Sequence, residues 1–148
     1  MNEIDEPPLR QICPTPELLL PAGSSEKLRF ALAYGATAVY AGVPIFSLRA
    51  RENDIKTEDI ANSIAYCHSR GKKIYLTMNI YAHNNRVDRF LEAFQAYSDL
   101  APDGFIMTDI GLIAKALKLR PTSTFHLSTQ PIATNWITVE FFRDLGAT

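Results

Sequence analysis

Residues able to bind an anion stand close together in one segment of this 148-residue sequence. Arg49 and Arg51 are two positions apart, so in an extended loop both guanidinium groups point the same way and can clamp a carboxylate or phosphate. Alternatively, they pair with Glu52 and Asp54 in the same segment, as surface arginines commonly do. The spacing supports both interpretations equally.

Two other side chains are candidates for acid–base catalysis. Histidine exchanges a proton near neutral pH, so His83 is one candidate, although an exposed loop histidine without a role fits its position better. Asp109 is the other, and its spacing favours a cap on the following helix over a ligand contact. Asn79 and Gln130 add polar groups, which we expect to bind substrate.

Composition excludes several classes of function. Lys and Arg total 15 and Asp and Glu total 16, so there is no excess of positive charge to drive simple electrostatic binding of nucleic acid, and no DNA partner is expected. Cys13 and Cys67 cannot by themselves form a metal site, and Cys67 is expected to be a small buried side chain. With no apolar run of about 20 residues and an acidic start, we expect no membrane association and a cytoplasmic location.

Short apolar runs alternate with helix-period segments, a pattern typical of βα units around a parallel sheet. Ser24, Thr57 and Asn135 are predicted helix N-caps, and His126 is expected to be a hydrogen-bonded structural residue within a strand. The predicted strands cover residues 17–20, 38–42, 73–78, 104–107 and 124–128. Function in such folds gathers where the strands end, and this is where the candidate residues lie.

These five units predict one α/β domain over residues 16–148, preceded by a flexible polar arm over residues 1–15. Two architectures fit: the first five units of a (β/α)8 TIM-type barrel, or a five-stranded doubly wound parallel sheet. An internal echo favours the barrel. The segment 34–37 (YGAT) leads into a strand, and the sequence ends on the similar segment 145–148 (LGAT). We therefore expect the barrel to continue beyond Thr148.

Several short motifs fall in one register along the sequence: residues 16–23 (PELLLPAG), 35–42 (GATAVYAG), 47–51 (SLRAR), 71–75 (GKKIY), 103–109 (DGFIMTD) and 126–130 (HLSTQ), with Asn79-Ile80, His83-Asn84 and Asn135-Trp136. Together they resemble the start of the U-32 peptidase family, also known as collagenase-like proteases. The SLRAR loop and the Asn-Trp pair are most similar to its branch of tRNA hydroxylation proteins.

The resemblance implies a (β/α)8 barrel that hydroxylates the wobble uridine of certain tRNAs to 5-hydroxyuridine, with a requirement for prephenate. The implied partners are tRNA and a small, prephenate-like carboxylic acid, held by a pocket that includes the six candidate residues named above. Relatives are thought to hold an iron–sulfur cluster through four cysteines that lie beyond the part matched here, so no cofactor is expected in this chain.

Two alternatives remain open at this point. The family name suggests a collagenase-like peptidase, although the sequence shows no nucleophile paired with a base. The chain could also be a non-catalytic, truncated remnant, since on its own it lacks the cluster cysteines and is expected to be inactive.

Overall fold

The computed structural model describes residues 15–48 and 55–147. The predicted polar arm, apart from its last residue, and the segment that holds Arg49 and Arg51 lie outside the described residues. Strands and helices alternate through the described part: β1 (Leu19–Pro21), α1 (Ser25–Ala33), β2 (Ala38–Gly42), α2 (Thr57–His68), β3 (Lys73–Met78), a short 3-10 turn (Asn84–Arg86), α3 (Val87–Ser98), β4 (Gly104–Met107), α4 (Ile110–Leu119), β5 (Phe125–Leu127) and α5 (Trp136–Leu145).

The strands form one parallel sheet in the order β1-β2-β3-β4-β5, so each strand pairs with the next one along the chain. A doubly wound sheet reverses its strand order at a switch point and carries helices on both faces. The sequential order is instead that of a (β/α)8 barrel. The α/β fold is confirmed, and the doubly wound alternative is wrong.

Local capping chemistry sets the helix starts. The side chains of Ser24 and Asn135 accept hydrogen bonds from the amides of Lys27 and Thr138, as predicted. The prediction for α2 is wrong, because Lys56 occupies the N-cap position without a side-chain cap and Thr57 is already helical. The predicted outer strands also shift by one or two residues, as ladder pairing begins only at Leu19 in β1 and Phe125 in β5.

The main core lies between one face of the sheet and helices α1 to α4. Alternate residues of β3, Ile74, Leu76 and Met78, belong to this core, as expected because successive side chains of a strand point to opposite faces. Aromatic rings fill its centre, with Phe94 contacting Phe105 at 4.9 Å and Phe125 at 5.8 Å between ring centroids. The other side of the sheet is the inner face of the partial barrel.

Tyr75, the third residue of β3, lies on that inner face towards the amino ends of the strands. Its ring meets the His126 ring edge-on at 4.7 Å, and its register partner on β4 is Gly104. A Cβ on Gly104 would lie 3.2 Å from Tyr75 Cδ1 and 2.9 Å from the Thr124 carbonyl oxygen. The absence of a side chain at Gly104 therefore lets the tyrosine ring lie against the sheet.

An ion pair between Glu17 and Lys73 lies next to the Tyr75 hydroxyl. The Glu17 carboxylate accepts hydrogen bonds from the Tyr75 hydroxyl at 3.0 Å and 3.2 Å and lies 2.9 Å from Lys73 Nζ. The hydrogen bond from Lys73 holds the pKa of Glu17 below its ordinary value. This contact ties the segment before β1 to β3.

Helix α5 differs from the other helices because most of its apolar side chains face outward. Only Phe142 is buried on it, whereas Trp136, Ile137, Val139 and Phe141 are 54–69% exposed. In the described residues, no helix is both long and apolar enough to cross a membrane.

We expect Gly104→Ala to destabilise the protein by about 1 to 3 kcal/mol, because the new methyl group overlaps the Thr124 backbone and the Tyr75 ring. Denaturant unfolding measures the change. The matched control is Gly111→Ala in α4, whose Cβ would meet only Asp109 Oδ1 at 3.4 Å and which should keep or raise stability. Equal effects of the two substitutions would contradict this packing argument.

The stabilisation by Glu17 should depend on pH. A lowered folded-state pKa gives stability that is present above the ordinary value of 4.5 and lost as pH falls through the folded value. Wild-type protein should therefore exceed Glu17→Gln in unfolding free energy near neutral pH, and the gap should close on acidification. Glu58→Gln, which removes a 3.7 Å pair between exposed groups, should show no such gap.

Candidate functional site

The carboxyl ends of the strands surround an open cleft of about 720 Å³. It extends over the inner face towards the carboxyl ends of the strands, and the loop after β2 forms one of its sides. Its lining includes the sequence candidates Asn79 and Gln130. The full lining is Leu19, Pro21, Ala22, Gly23, Lys27, Tyr40, Gly42, Ser47, Leu48, Thr77, Asn79, Ile106, Leu127, Ser128, Thr129 and Gln130.

The described lining combines an apolar floor with a polar rim. Leu19, Ile106 and Leu127 supply apolar surface, while hydroxyl and amide groups follow β3 and β5. Lys27 contributes a positive charge, and none of the described lining residues is an Asp, Glu, His or Cys. Such a cleft suits a ligand that carries an apolar part and anionic or carbonyl oxygens, since it offers hydrogen-bond donors and no described carboxylate.

Asn79 joins three segments at the rim. Its Oδ1 accepts a hydrogen bond from the Leu48 amide at 3.0 Å, and its Nδ2 donates to Ser128 Oγ at 3.4 Å. One side chain at the end of β3 thus holds the loop after β2 and the segment after β5. Asn79 is placed at the cleft as predicted, with both ends of its amide already in contact with protein.

The loop after β2 is fixed to β3 at several further points. The Val43 amide donates to the Thr77 carbonyl at 3.0 Å, and the Ile80 amide donates to the Phe46 carbonyl at 3.3 Å. Phe46 is buried and meets Phe90 edge-on at 5.5 Å. The chain is therefore held firmly at the rim up to Leu48. The predicted clamp residues Arg49 and Arg51, which follow directly, lie outside the described residues.

Gln130 is held by a residue from the neighbouring strand. The Thr108 hydroxyl, just after β4, donates to Gln130 Oε1 at 3.0 Å. Thr108 is 1% exposed, so its hydroxyl is fixed within the protein. The structure places Gln130 and Asn79 in the lining of one cleft, and substrate binding by these two residues stays a prediction.

Thr77 lines the cleft and carries a buried hydroxyl. The residue is 8% exposed, and among the described residues its Oγ1 has no hydrogen-bond partner. Its register partners are Gly42 and Ile106, neither of which has a polar side chain to offer. Burying an unsatisfied hydroxyl costs free energy, so this group is expected to lower the stability of the folded protein.

The two acid–base candidates are not brought to this cleft. His83 is exposed and precedes the short 3-10 turn. Asp109 caps α4 by accepting from the Leu112 amide at 3.1 Å, which confirms the capping interpretation. Asp109 also lines a smaller hollow of about 320 Å³, beside Tyr81 and Pro131.

The described residues do not fit an iron–sulfur cluster. Among them, no group of three or more His, Cys, Asp or Glu side chains is placed to hold a metal. Cys67 is buried in the core as predicted, and that burial raises the pKa of its thiol to about 11. A buried, protonated thiol is a poor ligand, and such clusters need four thiolates. Cys13 lies outside the described residues.

Sequence reasoning missed Lys27 and Thr77 as residues of the cleft. Thr77 carries a usable signal, because it alternates with the apolar residues Leu76 and Met78 and so belongs to the inner face. Lys27 carries none, since a lysine in the first turn of a helix is indistinguishable from an ordinary surface residue. Its place at the cleft depends on where α1 begins relative to β2.

Five sequential βα units with a polar cleft at the strand ends define a protein of the β/α-barrel class. The family model of peptidase family U32 matches residues 23–148. The chain therefore belongs to that family, which confirms the resemblance seen in its sequence motifs.

Two curated relatives show how much of such a protein this chain represents. It is 45% identical over 133 residues to tRNA hydroxylation protein P of Haemophilus influenzae and 43% identical over 133 residues to that of Escherichia coli. Each match covers 90% of this chain and 29% of the relative. The chain thus spans less than a third of the length of these relatives.

A solved structure supports the fold. The U32 peptidase Mk0906 matches with a TM-score of 0.71 at 15% sequence identity, over 96% of this chain and 60% of that one. At this level of identity the match shows a common architecture and carries no information on the reaction.

We expect Thr77→Val to stabilise the ligand-free protein by about 1 kcal/mol, because it removes a buried hydroxyl without breaking a hydrogen bond among the described residues. Thermal or denaturant unfolding measures this change. Thr37→Val is the matched control with the opposite sign, because the Thr37 hydroxyl accepts from the Leu18 amide at 2.8 Å. Destabilisation by Thr77→Val would show that this hydroxyl is satisfied in the folded protein.

Proposed function

We propose that the complete protein containing this chain hydroxylates the wobble uridine of tRNA to 5-hydroxyuridine in a prephenate-dependent reaction. In this proposal the cleft described above binds the small carboxylic acid. The observation that carries it is the composition of the cleft: hydrogen-bond donors and a lysine surround an apolar floor, with no carboxylate in the described lining.

The relatives support the RNA part of the proposal. Proteins named for tRNA hydroxylation are 43–45% identical to this chain over most of its length. The sequence has a formal charge of −1, so this chain supplies no excess of positive charge for binding phosphates. We infer that the remaining two thirds of such a protein provide most of the tRNA-binding surface.

The acid is expected to bind with its ring on the apolar floor and its carboxylates towards the rim. Lys27 is the cation available among the described lining residues. Arg49 and Arg51 follow Leu48, whose amide is fixed by Asn79, and in this proposal they pair with a carboxylate. In this proposal a cyclic acid with two carboxylates pairs one carboxylate with Lys27 and the other with these arginines.

The oxidative step needs chemistry that the described cleft residues do not provide. We propose that four cysteines outside this chain would hold an iron–sulfur cluster, which would supply electron-transfer chemistry there. In this division of roles, the cleft residues bind and orient the acid. The peptidase alternative gains no support from the described lining, which contains neither a histidine nor a carboxylate to activate a nucleophile.

The test is nucleoside mass spectrometry of tRNA from cells that lack the gene. We expect 5-hydroxyuridine and its derivatives to disappear and to return with the complete gene product, but not with the 148-residue chain alone. Cells unable to make prephenate should show the same loss with the gene intact. Restoration on feeding the acid to the second strain, and not to the first, separates the two requirements.

Three results would contradict parts of the proposal. Unchanged tRNA modification in the deletion strain would remove the wobble-uridine assignment and direct attention to ribosomal RNA or peptides. Full modification in cells without prephenate would leave the tRNA assignment standing and contradict the requirement for prephenate. Restoration by the 148-residue chain alone would show that the cluster cysteines are dispensable.

A further inference from the structure

The hydrogen bond between Thr108 and Gln130 fixes the orientation of an amide at the cleft. Thr108 follows β4, Gln130 follows β5, and their side chains meet with Oγ1 and Oε1 3.0 Å apart. The backbone between them is also tied, because the Ser128 amide donates to the Met107 carbonyl at 2.8 Å. Both partners therefore sit on neighbouring strand ends whose separation is fixed.

This contact uses only one side of the Gln130 amide. A hydroxyl has a single proton, and here that proton is donated to Oε1. The amide nitrogen Nε2 lies on the other side of the same planar group and carries two protons for donation. Since Gln130 lines the cleft and none of the described residues accepts from its Nε2, this donor is available to a ligand there.

We propose that Gln130 is a specificity-determining residue that donates from Nε2 to a carboxylate oxygen of the bound acid, and that Thr108 is the positioning residue that fixes this orientation. This inference rests on the proposed function, because it names a contact to the acid in that cleft. It assigns a positioning role to Thr108, a buried residue that the sequence alone does not single out.

The surrounding groups favour an oxygen acceptor at this point. Ser128 Oγ accepts from Asn79 Nδ2, which leaves the proton of the Ser128 hydroxyl for donation, and Ser128 lines the same cleft as Gln130. None of the described residues that line the cleft is an Asp or Glu, so no carboxylate among them competes for these donors. Each oxygen of a carboxylate can accept a hydrogen bond from a neutral donor of this kind. A uracil carbonyl is the other acceptor to consider, and the experiment separates it from the acid.

The main test is Gln130→Glu in the complete protein. Glutamate keeps an oxygen to accept from Thr108, so the fold should be retained, but it replaces the donor with a negative charge facing the carboxylate. Prephenate affinity, measured by calorimetric titration, should fall by at least about tenfold, while tRNA affinity stays unchanged. The matched control is Gln95→Glu, the same exchange at an exposed position of α3, which should leave both affinities unchanged.

The positioning role has its own readout. Thr108→Val removes the hydroxyl at nearly constant volume and leaves the Gln130 amide free to rotate. We expect the KM for prephenate to rise several-fold with kcat retained, and Thr108→Ser, which restores a hydroxyl, to recover the wild-type KM. A purely structural role for Thr108 would instead lower stability and the amount of active enzyme without this division between KM and kcat.

The outcomes separate the inference from the function on which it rests. If wild-type protein does not bind prephenate, the proposed function and the Gln130 contact both fail. If wild type binds the acid and Gln130→Glu binds it equally well, only the Gln130 assignment is overturned. If Gln130→Glu weakens tRNA binding and leaves prephenate binding intact, the amide contacts the RNA, and the assignment to the acid is again overturned.

Discussion

The sequential order of the parallel strands is the constraint on which the rest of the molecule depends. Connections between parallel strands are right-handed as a rule, so a sequential strand order places successive helices on the same face of the sheet. The packing reflects this directly, because helices α1 to α4 share one core with alternate residues of the strands. The opposite face is left to curve around an interior, and its upper part forms the polar cleft.

Hydrogen bonds between neighbouring strand ends convert that cleft into an organised site. The contact from Asn79 to Ser128 links β3 to β5, and the contact from Thr108 to Gln130 links β4 to β5. In each contact an amide or hydroxyl group uses one of its donors or acceptors, and its remaining donor or acceptor can bind another partner. The site is thus organised by polar pairs that rest on rigid strands, while its apolar floor comes from inward-facing residues of the same sheet.

The sequence predicts local structure better than it predicts the site. Alternating apolar runs locate β2, β3 and β4 with the observed bounds, and Ser24, Asp109 and Asn135 are recognised as caps because capping is decided by nearby backbone amides. The Thr57 cap fails because Lys56 already serves as the boundary. The pairing of Thr108 with Gln130 spans 22 positions, and no local pattern reveals it. Long-range pairs of this kind depend on strand register, which the sheet determines as a whole.

Helix α5 gives the chain an intrinsic reporter of assembly. Trp136 is the single tryptophan of the sequence, and it stands 69% exposed on the same helix as Ile137, Val139 and Phe141. Apolar side chains clustered in this way favour contact with another surface. An indole in water emits at longer wavelength than one in an apolar contact. The fluorescence maximum of this chain therefore reports whether Trp136 on α5 is exposed to water or packed against another surface.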